Sequence, residues 1–225
     1  MGRSRPPLEQ ALRLGVIDEI ATDWAAALKG ADLVLLGMPV GQMEAVMRAM
    51  MPHLEPQTIV TDGGSTKADV VAAARAAFGD RIGQFVPGHP IAGAEKSGVA
   101  AAKSDLYRDK RVVLTPLPEN APADVKAVRA VWELCGARVS QLAPAEHDRV
   151  FAAVSHLPHL LAFALVHDLA GRDNADQLFG FAAGGFRDFT RIASSHPEMW
   201  RDICLANRTA LLAELDAYLA ELLRT

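Results

Sequence analysis

His89 is the residue whose type and setting most favour chemistry. It lies in residues 87–98 (PGHPIAGAEKSG), where three glycines and two prolines surround an imidazole, a carboxylate and an amine, directly after a strand-like run at residues 84–86. An imidazole titrates near neutrality without help, at a pKa of about 6.5, so proton transfer is the chemistry on offer. A surface turn that happens to hold a histidine is the plainer alternative, and the density of rigid and functional residues argues against it.

Three further segments carry polar groups in unusual company. Residues 61–67 (TDGGSTK) run from a strand through a Gly-rich turn into a helix. Ligands bind at such carboxyl ends of strands in open α/β sheets, and backbone N–H groups and a hydroxyl would face outward there. Taken alone, the same text is a structural turn in which Ser65 or Thr66 caps the helix. Residues 155–159 (SHLPH) place His156 and His159 in an apolar helical stretch, shortly after His147 and Asp148. Zinc is a weak reading, because Pro158 interrupts the HxxH spacing and no HExxH arrangement occurs. Imidazoles lining a polar pocket fit better, with buried imidazoles bonded to helix carbonyls as the alternative. Residues 184–193 (GGFRDFTRIA) set Arg187, Asp188 and Arg191 in otherwise apolar text. A guanidinium there is a fork for a carboxylate, with Asp188 within a helical turn of Arg191 to orient it; an internal ion pair of Asp188 with Arg187 or Arg191 is equally compatible.

The elements that must position these groups alternate. Residues 8–28 read as helical and broken at Gly15, residues 31–40 as a short buried strand ending at a proline, and residues 43–50 as a helix. A second buried strand follows at 58–61, an Ala-rich helix at 67–78 bounded by Gly79, and a further strand at 111–115, with the sheet ending near Val139. Such alternation implies a parallel α/β sheet. Beyond Pro144 the text turns helical, and the last period puts Leu211, Leu215, Tyr218 and Leu222 on one face. The expected division is a sheet domain over residues 1–142 and an all-helical domain over 143–225.

With 225 residues, 50% hydrophobic and 22% charged, the chain can bury two modest cores. A formal charge of -4 and a pI near 6.0 give no electrostatic reason to expect nucleic acid or an anionic membrane as partner. Cys135 and Cys204 sit in helix-like apolar text, suggest neither a disulfide nor a thiolate metal site, and fit a reducing cytosol. The opening residues lack the apolar core of a signal peptide, and no segment reads as ~20 uninterrupted apolar residues, so the expected location is cytoplasmic.

In chain order, residues 62–67 (DGGSTK), 88–98 (GHPIAGAEKSG), 155–159 (SHLPH), 185–193 (GFRDFTRIA) and 197–202 (PEMWRD) resemble the motifs of the prephenate and arogenate dehydrogenases. The resemblance runs from about Leu8 to the C-terminal helix. It implies a Rossmann-type N-terminal domain, a helical C-terminal domain that forms a homodimer, and an active site in the cleft between them. The activity implied is oxidative decarboxylation of prephenate, or of arogenate, with NAD as hydride acceptor, in tyrosine biosynthesis. By the same resemblance His89 accepts a hydrogen bond from the substrate's ring hydroxyl and helps remove its proton, while Ser65 positions that hydroxyl. Arg191 binds a substrate carboxylate, His159, Gly184 and Asp188 shape the pocket, Glu95 gates or tunes it, and Trp200 is a pocket or packing residue. Pro39, Ser65 and Thr66 are expected to meet the cofactor, and no metal is expected. Nothing distinguishes prephenate from arogenate or reveals tyrosine feedback.

The chain departs from that family in lacking a GxGxxG turn, and its text opens where the family's second strand ends. The expectation is therefore an incomplete Rossmann-type sheet that binds dinucleotide poorly and exposes an apolar edge. Arg3, Ser4 and Arg5 fall near the adenosine ribose by the same resemblance, where two arginines would favour NADP over NAD. Two other readings compete. A β-hydroxyacid dehydrogenase uses a lysine in its helical part, and no lysine follows Lys126. A non-catalytic dimeric ligand-binding protein would keep the pocket without the cofactor site.

Overall fold

Runs of branched and leucine side chains at residues 33–36 and 59–62 form the first two strands. β1 (Leu33–Leu36) and β2 (Ile59–Asp62) pair in parallel, Leu33 opposite Ile59 and Leu36 opposite Asp62, and β3 (Phe85–Val86) extends the sheet beyond β2. The computed structural model describes residues 1–2, 4–93 and 98–225, in two compact units, Met1–Pro144 and Ala145–Thr225. β2 is the central strand and is buried along nearly its whole length, as a parallel strand covered on both faces must be.

Helices α3 (Val40–Met50) and α4 (Ala68–Phe78) connect these strands and pack on each other. Their spacing explains the packing: Met43, Met47 and Met50 recur on one face of α3, and Val70, Ala74 and Phe78 on one face of α4, all buried. Each large apolar side chain so buried contributes about 1.5–3 kcal/mol relative to exposure. Gly79, with φ +53, ends α4 in a conformation that strains any residue with a Cβ.

The sequence suggests a loop after residue 86, but the structure has a strand there. β4 (Gly88–Ile91) runs antiparallel to β5 (Arg111–Leu114), and β6 (Arg138–Gln141) lies parallel on the far side of β5, making a second three-stranded sheet. Glycine and proline content hid this element, yet Pro90 is tolerated because β4 is an edge strand of its sheet. α5 (Pro122–Leu134) covers the sheet, its Val128 and Trp132 packing with Val86, Val112 and Leu114.

At the N-terminus α1 (Arg5–Arg13) and α2 (Trp24–Leu28) are separate helices, broken near Gly15 at φ +66, and Asp23 caps α2 by accepting the Ala26 N–H at 2.8 Å. The outer edge of β1 pairs with no strand among the described residues, and Leu35 on it is 52% exposed. That matches the apolar edge expected.

The second unit is helical. α6 (Pro144–Phe151) and α7 (Leu157–Ala170) are joined by a π turn, Ala152–His156, into one 27-residue run. By length and composition alone this run is sufficient to cross a bilayer, contrary to the reading that no segment is. It behaves as a core helix: Ala152, His156, Leu157 and Ala162 are buried, and the run packs on later helices of the unit. Pro158 explains the wider turn, since it lacks the N–H that an α-helix would direct back four residues and its ring presses on that carbonyl. α8 (Ala175–Gly180), α9 (Gly184–Thr190), α10 (Pro197–Ala206) and α11 (Arg208–Leu222) complete the unit. Of the expected apolar face of α11, Leu211 is buried, whereas Tyr218 and Leu222 are exposed.

Candidate active site

In the first unit the geometry around His89 is set by a charge pair that the sequence did not single out. Asp62 ends β2 fully buried and accepts the Gly64 N–H at 2.8 Å, the Gly88 N–H at 3.0 Å and the Lys67 ammonium. Lys67, also fully buried, donates in addition to the Gly88 carbonyl oxygen at 2.8 Å. One ion pair thus ties the turn after β2 to the first residue of β4. Gly64 is required by the same packing: a Cβ there would sit 2.8 Å from Asp62 Oδ2 and 3.0 Å from Val40 Cγ1. Its small size serves the turn itself and not the approach of a ligand.

His89 follows Gly88 on β4, partly buried and opposite Val113. Ser65 is partly buried on the turn. Thr66 departs from expectation, being fully buried, with its hydroxyl unpartnered among the described residues. Neither Ser65 nor Thr66 caps α4; Lys67 occupies the cap position, because its ammonium is held inward by Asp62. Pro39 is exposed at the start of α3, and the Gly63 N–H reaches the Leu36 carbonyl at 3.0 Å, so the loops after β1 and β2 lie side by side. Pro39, Ser65 and His89 therefore follow the carboxyl ends of β1, β2 and β3, the edge at which open α/β sheets receive ligands. Beside Pro39, Gly37 has nothing within 4 Å of where a Cβ would stand, so there is room for a cofactor to approach. Of the N-terminal residues named for NADP, Ser4 precedes α1 and Arg5 pairs with Glu9 at 2.8 Å on the surface. Arg3 and Glu95 lie outside the described residues.

In the second unit the histidines are divided among separate partners. His147 Nδ1 lies 2.8 Å from Asp148 Oδ1, and His156 Nδ1 lies 3.1 Å from Asn207 Nδ2, all four residues being buried. His159 donates from Nδ1 to the Ser155 carbonyl at 2.9 Å and stacks on Trp200 with centroids 3.5 Å apart and planes at 14°. No cluster of three or more metal-ligand side chains occurs among the described residues. A ring that donates from Nδ1 to a carbonyl, and is neutral, keeps its Nε2 lone pair free to accept. Burial lowers the pKa of His159, and the nearby Arg191 charge lowers it further, so the neutral form is favoured.

Arg191 opens the 3-10 turn Arg191–Ser194, which packs on α7 and is exposed to solvent. Gly184 begins α9 with open space about it, and Asp188 is exposed on the same helix. No salt bridge joins Asp188 to either Arg187 or Arg191 among the described residues. His159, Trp200 and Arg191 are thus neighbours in this unit, while the ion pair considered for Asp188 is not formed.

These features define a class: a Rossmann-type nucleotide-binding sheet followed by a helical unit. A family model described as "Prephenate dehydrogenase, nucleotide-binding domain" matches residues 2–141, and one described as "Prephenate dehydrogenase, dimerization domain" matches residues 143–225. The chain belongs to the prephenate dehydrogenase family. It is 42% identical to the prephenate dehydrogenase of Bacillus subtilis over 94% of its own length, and spans 57% of that relative. It is 38% identical to the cyclohexadienyl dehydrogenase of Zymomonas mobilis, covering 95% of this chain and 72% of the other. Among solved structures, the prephenate dehydrogenase of A. aeolicus in complex with hydroxyphenyl propionate and NAD+ superposes with a TM-score of 0.89 at 40% identity, covering 96% of this chain and 75% of that one.

Proposed function

We propose that this chain acts as a cytoplasmic prephenate dehydrogenase of tyrosine biosynthesis, converting prephenate to 4-hydroxyphenylpyruvate and CO2. One observation carries the reading: His89 sits beside a turn locked by Asp62 and Lys67 at the carboxyl edge of a nucleotide-binding sheet. The NAD bound to the A. aeolicus relative makes NAD the cofactor of choice here, with Pro39 and Ser65 as the residues that would hold it. When bound, it supplies the hydride acceptor.

His89 accepts the hydrogen bond of the ring hydroxyl while hydride departs from the same carbon, and Ser65 orients that hydroxyl. Electrons of the breaking ring–carboxylate bond complete the aromatic ring, CO2 leaves, and the proton held by His89 returns to the phenolic oxygen. Arg191 takes a substrate carboxylate as a bidentate fork, and His159 offers its Nε2 lone pair to a donor on the substrate. Gly184 and Asp188 are assigned to the same pocket and Glu95 to its control. Arogenate is the second substrate of this reading, favoured by the cyclohexadienyl dehydrogenase relative.

A homodimer through the second unit belongs to the same proposal. Leu219 and Leu222 of α11 are 47% and 51% exposed, and a matching copy would cover them. Sedimentation of the chain as a monomer would count against this part.

The test is turnover of prephenate with NAD+, followed by NADH formation, in this chain and in a version extended upstream in frame. His89→Asn is expected to lower kcat by ~10²–10⁴-fold while binding of hydroxyphenyl propionate stays within a few fold. Equal turnover by the variant, or no turnover in either version, overturns the reading.

A further inference from the structure

We propose that Asn207 is a positioning residue for the substrate site: it dictates which nitrogen of His156 bears the proton and so holds the Trp200–His159 wall in place. This rests on the assignment of His159 to the substrate given above.

Asn207 is 5% exposed at the junction of α10 and α11. Its Nδ2 meets two groups at once, the Asp148 carbonyl oxygen at 2.7 Å and His156 Nδ1 at 3.1 Å. A carbonyl oxygen can only accept, so the amide must present its NH2 end there, and its second hydrogen falls to His156 Nδ1. That nitrogen must then be unprotonated, which places the proton of a neutral His156 on Nε2. His147 and His159 are held in the opposite sense, since their Nδ1 atoms face the Asp148 carboxylate and the Ser155 carbonyl. His156 is the imidazole of this helical run whose tautomer an amide sets.

The consequence reaches the proposed site through ring contacts. His156 stands edge-on to Trp200, centroids 6.2 Å apart at 71°, and the other contact of the same indole is the stack on His159. Rotating His156 to satisfy a different donor would displace that edge and, with it, the plane on which His159 lies. Asn207 itself need not touch substrate.

Asn207→Asp tests this. The variant is nearly isosteric, and its carboxylate offers acceptors to two groups that are themselves acceptors. In the full chain, two-bond 15N–1H spectra of the histidine rings are expected to show His156 protonated on Nε2 in the wild type and on Nδ1, or on both nitrogens, in the variant. Affinity for hydroxyphenyl propionate, measured by calorimetry, is expected to fall about tenfold. Asn207→Ala, which adds no charge, is expected to give a similar loss and serves if the aspartate variant does not fold. Wild-type His156 protonated on Nδ1 overturns the proposal, as does a switched tautomer with affinity within twofold of wild type. A wild-type chain with the expected tautomer that fails to bind the probe overturns the substrate-site assignment instead, and this role of Asn207 with it.

Discussion

In the Met1–Pro144 unit the residues around His89 are held by full charges wholly removed from water, whereas in the Ala145–Thr225 unit the imidazoles are held by carbonyls, an amide and a neighbouring carboxylate. The difference follows from what each must fix. The first unit has to pin backbone: a Gly-Gly turn and the start of an edge strand, which have little side-chain packing of their own. An ion pair that also takes a backbone N–H and a backbone carbonyl does that. The second unit has to fix the planes and tautomers of rings on a helix, and neutral directional hydrogen bonds specify those without the desolvation cost of a charge.

Breaking the charge pair should therefore have the largest effect. Lys67→Met leaves Asp62 buried without its cation and is expected to cost about 3–5 kcal/mol, read as a lower midpoint in urea. The double change with Asp62→Asn should recover much of that loss; if Lys67→Met alone is neutral, the pair does not organise the first unit. A smaller effect is expected at Gly64→Ala, where the added methyl meets Asp62 and Val40: about 1–3 kcal/mol by crowding, with a matching fall in turnover because the turn that carries Ser65 must shift. Unchanged stability there would mean the turn is softer than its contacts imply.

The smallest effect belongs to the second unit and appears in pH. Burial sets the pKa of His159 below that of an unfolded histidine, so the unfolded chain takes up the proton first as acid is added. The stability this group contributes is complete above about pH 6.5 and is lost as pH falls through its lower folded value. Thermal midpoints measured between about pH 7 and 5 should fall less steeply for His159→Asn than for the wild type. A steeper fall in the variant would reverse the sign of the argument.

Much of the fold was legible because period and punctuation agree. The buried runs at β1, β2 and β5, the Ala-rich helix closed by Gly79 and the change of texture after Pro144 all come from local patterns. β4 was not legible, since Pro90 and the glycines around it argue for a loop and only pairing with β5 makes it a strand. Asp62 and Lys67 were in view as part of a motif, but their partnership depends on a fold that buries both, and no spacing rule states that. His156 and Asn207 lie 51 residues apart, and helix packing brings them together.

The π turn at Ala152–His156 has a consequence for how this helix can change. Such a turn holds one residue more than an α-helix of the same length would, so losing a single residue there restores ordinary winding and rotates everything beyond by about 100°. His147 would keep its neighbours while His159 swung away from the Trp200 indole. In this stretch a deletion is thus a re-aiming of side chains with the helix itself left intact, and chain length acts as the sight by which the histidines are trained.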